Sequence, residues 1–216
     1  MKTKLLLSAM LLCSAAFVAC DDDDNEVKGT DVTIPNLELY SHDTYQINAE
    51  NSGVWVSDNP SVASIEGDVL HANHVGNAVV TGRFYSFKVA VLPKYTLFEE
   101  PVLAWGADAQ TVKDAMTSYT LATAEGSILS YVGLDDDAAD AFIYTFTANG
   151  LASAQVVLSG DYTVSVTRYL DERYERLEGT DELAHEFYFR SLDGKTDIHA
   201  SMPTEGNWTI DYTPAL

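Results

Sequence analysis

The sequence is short of cysteine, of basic residues and of long apolar runs. Only two cysteines occur in 216 residues, Cys13 and Cys20, so no network of disulfides can hold the fold. Twelve lysines and arginines stand against thirty-three acidic residues, for a formal net charge of −21. That balance argues against nucleic acid as a partner, because phosphates need a basic face. It argues equally against adhesion to an anionic lipid surface by charge alone. The longest apolar stretch, Leu5 to Val18, falls short of the roughly 20 helical residues that span a bilayer core. Catalytic signatures are missing too: there is no G-x-S-x-G, H-E-x-x-H or Walker loop, and carboxylate pairs carry little weight in so acidic a chain. The five histidines are scattered. The expectation is a protein that is not an enzyme and has no cofactor.

What is present begins with an address. Lys2 and Lys4 precede the apolar run, and Phe17-Val18-Ala19-Cys20 closes it. This is the layout of a secretory signal. The closing residues resemble the lipobox of bacterial lipoproteins. The resemblance implies removal of residues 1–19 and acylation of Cys20, a membrane partnership through that lipid, and an outer-membrane location at the cell surface. Two or more acyl chains anchor stably where one does not. With Cys13 removed and Cys20 acylated, no thiol remains for a disulfide or for chemistry. Asp21 to Asp24, then Asn25 and Glu26, read as a solvated tether over 20–30. The same run resembles the surface-export signal of Bacteroidota lipoproteins, and both readings can hold.

Residues 31–93 read as an all-β segment. Val32-Ile34, Leu37-Leu39, Tyr45-Ile47, Val54-Val56, Val69-Leu70, Ala78-Val80 and Phe87-Val91 show strand alternation. Turn residues separate them at Asn51-Ser52-Gly53, Asp58-Asn59-Pro60, Glu66-Gly67-Asp68 and Gly76-Asn77. Trp55-x-Ser57-x-Asn59, Val62-Ala63-x-Ile65, Gly67-x-Val69, Ala72 and Gly76-x-Ala78-x-Val80 resemble the bacterial Ig-like domain, group 2. The resemblance implies a β-sandwich with Trp55 at its centre, acting as a spacer or adhesion module. His71 and His74 are three apart, and on a strand they would point to opposite faces, which disfavours a shared metal.

Residues 94–216 read as an α+β domain with an antiparallel sheet. Asp108 can cap a helix carrying Val112, Ala115, Met116 and Tyr119. Strands follow at Ile128-Val132, Phe142-Thr147 and Leu151-Leu158. A second helix has Val166, Tyr169, Leu170, Tyr174 and Leu177 on one stripe, with Gly179 after it. Strands then recur at Glu186-Ser191, Thr196-Met202 and Trp208-Tyr212. The order αβββ, αβββ is an internal repeat. Its layout resembles the β-lactamase-inhibitor-protein-like architecture, which implies a helix-free sheet face that grips a partner. Leu134 to Asp140 holds four aspartates, but without the Gly and terminal Glu of an EF-hand loop.

Asn149-Gly150 and Asp193-Gly194 are type I′ turn signals, and a two-residue turn fixes which residues share a face. On that register Phe142, Tyr144 and Phe146 lie with Gln155 on the face away from the helices. Tyr188, Arg190, Asp197 and His199 join them there, while Phe187, Phe189, Ile198 and Ala200 face the helices. Aromatic, arginine and polar groups together describe a recognition surface. The alternative is that this face packs on the Ig-like segment or on Trp208 and Tyr212. Three partner classes follow: an unidentified protein met by a lipid-anchored interaction or adhesion protein, a glycan stacked on Tyr144, Phe146 and Tyr188, or an envelope protein that this chain inhibits or helps to assemble.

Overall fold

A computed structural model describes residues 34–48, 53–135, 137–160, 162–181, 183–204 and 206–216. The signal, Cys20, the acidic tether and most of the expected strand Val32-Ile34 lie outside the described residues; Ile34 is described and belongs to no strand. Among the described residues no helix is long and apolar enough to cross a membrane. The described residues are mostly β, with several sheets and two short helices among them.

Seven strands come first: β1 (Leu37–Tyr40), β2 (Thr44–Gln46), β3 (Val56–Ser57), β4 (Ala63–Glu66), β5 (Val69–Ala72), β6 (Gly76–Thr81) and β7 (Ser86–Leu92). They form two sheets, ordered β1-β7-β6-β3 and β2-β5-β4. β1 runs parallel to β7 and the remaining pairs are antiparallel. Period-2 alternation sends Phe87, Val89 and Val91 inward from one sheet to share a core with Leu70, Ala72 and Ala63 of the other. Trp55 is buried among them, its ring 5.8 Å from that of Phe87 at 72°. Sequence alternation missed β4 as a strand. It also took Gly76-Asn77 for a turn, whereas both residues open β6 opposite Val91 and Ala90. Gly76 is needed there for room: its φ is 150°, and a Cβ would sit 2.8 Å from Val62 Cγ2.

The rest of the chain supplies α1 (Ala109–Ala115), β8 (Thr120–Glu125), β9 (Ile128–Val132), β10 (Ala141–Thr147) and β11 (Gly150–Ser159). It continues with α2 (Thr163–Asp171), β12 (Tyr174–Arg176), β13 (Glu186–Ser191), β14 (Thr196–Thr204) and β15 (Asn207–Pro214). All eight strands make one sheet, ordered β12-β13-β14-β15-β11-β10-β9-β8. The internal repeat is therefore a helix followed by four strands, not three. The two four-stranded meanders join through their last strands, β11 and β15. The fourth strands were hidden for different reasons. β8 reads TLATAE and is exposed throughout, so it has no apolar alternation to show. β12 begins at Tyr174, which sequence spacing assigned to the second helix. That helix ends at Asp171, and Tyr174 pairs with Ser191 instead.

Both helices lie on one face of the sheet. Val112 of the first and Met116 at its C-terminal cap, with Val166, Tyr169 and Leu170 of the second, share a core with Phe142, Tyr144, Phe187, Phe189, Trp208 and Tyr212. Asp108 caps α1 as its position suggests, its carboxylate accepting from Thr111 N at 2.8 Å. Between the two cores, the Glu172 carboxylate at the end of α2 accepts from Lys94 N at 3.1 Å and Tyr95 N at 3.0 Å. Its carbonyl accepts from Val75 N at 2.7 Å.

Candidate functional site

The second hairpin builds the outward face as its sequence implies. Phe187 pairs with Ala200 and Phe189 with Ile198 on the helix side, so Tyr188–His199 and Arg190–Asp197 pair on the other. The turn itself is not type I′, which needs two left-handed residues. Among the described residues of this turn only Gly194 has a positive φ, 72°, and Gly194 N donates to Ser191 O at 2.8 Å. The parity of the pairing survives. Asp193 steadies the turn by accepting from Ser191 Oγ at 2.7 Å. That hydroxyl, with Lys195 N, holds its carboxyl down at about 2.

The first hairpin departs from its expected register by one residue. Thr147 pairs with Gly150 and Phe146 with Leu151; the register then shifts, so that Tyr144 pairs with Ala154 and Phe142 with Val156. Neighbouring backbone explains the shift. Gly106 N donates to Leu151 O, Leu151 N donates to Ala107 O, and Phe146 N donates to Ser127 O. Those bonds fix the turn from outside, and a bulge takes up the extra residue.

A one-residue shift moves every side chain to the opposite face. The placement of Phe142, Tyr144 and Phe146 on the recognition face is thereby corrected. Phe142 and Tyr144 are 1% and 0% exposed, on the helix side. Phe142 meets Phe98 and Tyr119 edge-on. Tyr144 Oη accepts from Val102 N at 3.1 Å and donates to Met116 Sδ at 3.2 Å, and burial pushes its hydroxyl up to about 12. Phe146 packs against the same core and lines a groove of about 570 Å³ with Gly106, Lys113 and Asn149. Burying two large rings is worth roughly 1.5–3 kcal/mol each, enough to favour the bulged register.

Gln155 stays on the outward face, and the register adds Asp211, which sequence reading missed. Tyr188, His199, Asp211 and Gln155 are successive partners across β13, β14, β15 and β11. They form one row across four strands. The rings of Tyr188 and His199 are stacked, 4.6 Å apart at 9°. Gln155 Nε2 donates to Asp211 Oδ1 at 2.6 Å. In the adjacent row Arg190 Nε donates to Asp197 Oδ1 at 2.7 Å, and Asp197 raises the arginine further above its ordinary value. His199 Nε2 is shielded and has no hydrogen-bond partner among the described residues. Tyr188, His199, Asp197, Asp211, Leu177 and Thr213 line a groove of about 360 Å³. The alternation Trp208-x-Ile210-x-Tyr212 held the signal for Asp211: three buried residues force Thr209, Asp211 and Thr213 outward.

This arrangement can bind. It offers the stacked rings of Tyr188 and His199 and the carboxylates of Asp197 and Asp211 in one groove, with the Gln155 amide bonded to Asp211 beside it. Several of the residues considered for metals have neighbours among the described residues. His74 Nδ1 lies 2.6 Å from Ser61 O, while His71 Nε2 is 3.9 Å from Glu66. In the aspartate-rich loop, Asp137 accepts from Tyr119 Oη at 3.0 Å and Asp140 N donates to Val157 O. Comparison of the chain with protein-family models, with curated proteins and with solved structures finds no match.

Proposed function

We propose that this is a non-enzymatic interaction protein of the cell envelope, anchored to the outer membrane by acylated Cys20. In this reading residues 31–93 form an Ig-like spacer of the bacterial group 2 type. It presents the α+β domain of residues 94–216, whose outward sheet face meets the partner. Two sheets around a single core with Trp55 buried at its centre support the Ig-like reading. The doubled helix-plus-meander plan, with both helices on one face, supports the likeness to the β-lactamase-inhibitor-protein-like layout.

One observation carries the binding reading: the half-exposed row Tyr188, His199, Asp211 and Gln155, of which Tyr188, His199 and Asp211 line a groove, with the two rings stacked beside the Asp211 carboxylate. A glycan is favoured over a protein surface by the groove's size and by its hydrogen-bonding groups set in a line beside stacked rings. Pockets of about 300 Å³ and more accept small ligands. A glycan array probed with the protein and with Asp211→Ala decides between them. Binding that Asp211→Ala abolishes at unchanged melting temperature supports a sugar. A silent array, with crosslinking through residue 188 to another envelope protein on cells, supports the inhibitor or assembly role.

A further inference from the structure

Cations are scarce in this chain, and most of those described are engaged. Lys94, Arg173, Arg176, Arg190 and Lys195 each lie within ion-pair reach of a carboxylate. Arg168 donates to Tyr95 Oη at 2.7 Å, and the Arg83 guanidinium lies 4.8 Å over the Phe84 ring. Lys113 forms no ion pair among the described residues, although acidic residues outnumber basic ones thirty-three to twelve.

This lysine lines the groove of about 570 Å³ where α1 approaches the β8–β9 and β10–β11 turns. Ala109 and Lys113 stand one turn apart on α1 and both line it. A helical side chain leans toward the N-terminus, so the lysine stem runs back over Ala109. Opposite them Ile128, Leu129 and Phe146 form an apolar wall, and small Ala124 and Gly126 leave the space unfilled. Long-range backbone bonds fix the walls: Phe146 N donates to Ser127 O at 2.8 Å and Gly106 N to Leu151 O at 3.0 Å. A preformed concavity of this size, apolar with a few polar groups, is the usual form of a small-molecule site, and its rigidity lowers the ordering cost of binding. One carboxylate lines the groove as well. Asp108 accepts from Thr111 N at 2.8 Å and from Thr111 Oγ1 at 2.9 Å. Those donors hold its carboxyl below the usual carboxylate range, so it stays charged and committed to the helix cap.

We infer that this groove binds a small organic acid, its apolar body against Ile128, Leu129 and Phe146 and its carboxylate on the Lys113 ammonium. Charge selects the ligand. One unpaired ammonium matches one negative charge, whereas a phosphate carries about two and would meet Asp108 with that single lysine to offset both. The net charge of −21 does not forbid an anion here, because exposed charges are screened beyond about 8 Å. The apolar wall selects against small hydrophilic acids, which would leave it wet. The groove lies on the helix side of the sheet, so it is independent of the outward row from Tyr188 to Gln155 and of the glycan reading.

The test is calorimetric titration of the full chain with decanoate, using Cys20→Ser so that no acyl chain competes for the groove. One decanoate is expected to bind. Lys113→Ala should weaken it about tenfold, the loss of one charge-assisted contact, and Lys113→Arg should retain it. Ala124→Trp, at an exposed strand position, should fill the groove and abolish binding. Decyltrimethylammonium, with the same tail and the opposite charge, should not bind, and Asp211→Ala should bind decanoate as the parent does. Melting temperatures of the Lys113 and Ala124 variants should match the parent's, which separates lost binding from lost folding. No heat from decanoate, equal binding by Lys113→Ala, equal binding of the cationic analogue, or loss of binding in Asp211→Ala would each overturn the inference.

Discussion

Ser41 and Glu172 stand 131 residues apart and share a hydrogen bond, Ser41 Oγ donating to Glu172 Oε1, in a place where both are almost fully buried. Glu172 follows the last turn of α2. A negative charge there is opposed by the helix dipole, so the helix gains nothing from it. The carboxylate serves the junction: it collects a hydroxyl and the N–H groups of Lys94 and Tyr95, which would otherwise be buried without partners. Charge-assisted bonds of this kind are stronger than neutral ones.

Glu172→Ala should therefore cost about 3 kcal/mol, since it strands a hydroxyl and two N–H groups. Urea denaturation measures the loss. Combined with Ser41→Ala in a double-mutant cycle, the coupling should exceed about 0.5 kcal/mol. Additive effects would mean that the two side chains do not act together. The Glu172→Ala chain should also melt in two calorimetric steps, one for each core, where the parent melts in one.

The inward turn of Phe142 and Tyr144 makes a contrast with Tyr188. Phe142→Ala should destabilise by about 3–5 kcal/mol, the usual cost of emptying a core site of that size. Tyr144→Phe should cost about 1–2 kcal/mol by leaving Val102 N without its acceptor. Tyr188→Ala, on the outward face, should leave the melting temperature where it was. A Tyr144→Phe chain as stable as the parent would contradict the hydrogen bond to Val102.

The same pair shows how far the sequence could be read. The cap at Asp108, the alternation of β7 and the second hairpin's register are local, and each is written within a few neighbouring residues. The first hairpin looks equally local, with Asn149-Gly150 as strong a signal as Asp193-Gly194. Its register is decided by Gly106 and Ala107, more than forty positions away, and nothing in the turn itself announces them. Glu172 was hidden in the same manner. Read along the chain it is one more acidic residue on a helix, and its partners Ser41, Lys94 and Tyr95 meet it only in the folded state. Asp211 was legible in principle, because the alternation of Trp208, Ile210 and Tyr212 sends it outward without any turn to set the register.

Gly150 tests that long-range control. Its φ is 93°, and a Cβ would lie 2.1 Å from Gly106 O. Gly150→Ala should cost about 3 kcal/mol or more, through backbone strain and a clash with a main-chain atom that cannot turn aside. Gly67, with φ 62° and open space around it, provides the comparison. Gly67→Ala should cost only about 1 kcal/mol, from strain alone. Equal losses at the two sites would show that the turn is not pinned by residues 106 and 107.

Buried tyrosines set the alkaline limit of the fold. Burial raises the hydroxyls of Tyr169, Tyr174 and Tyr212 above the ordinary value, and that of Tyr144 to about 12. In the unfolded chain a tyrosine titrates near 10. A folded value above the unfolded one means that the contribution to stability is fully present below about pH 10 and is lost as the pH rises through the folded value. The protein should therefore lose stability steeply above pH 10, and the tyrosinate absorbance of these residues should appear with unfolding, not before it. Tyr144→Phe removes one such group, so its stability should fall less steeply between pH 10 and 12, by about 1 kcal/mol per pH unit. Urea titrations across that range measure the slope. An unchanged slope would mean that Tyr144 ionises as easily in the folded chain as in the unfolded one, which its place beneath α1, against Met116, forbids.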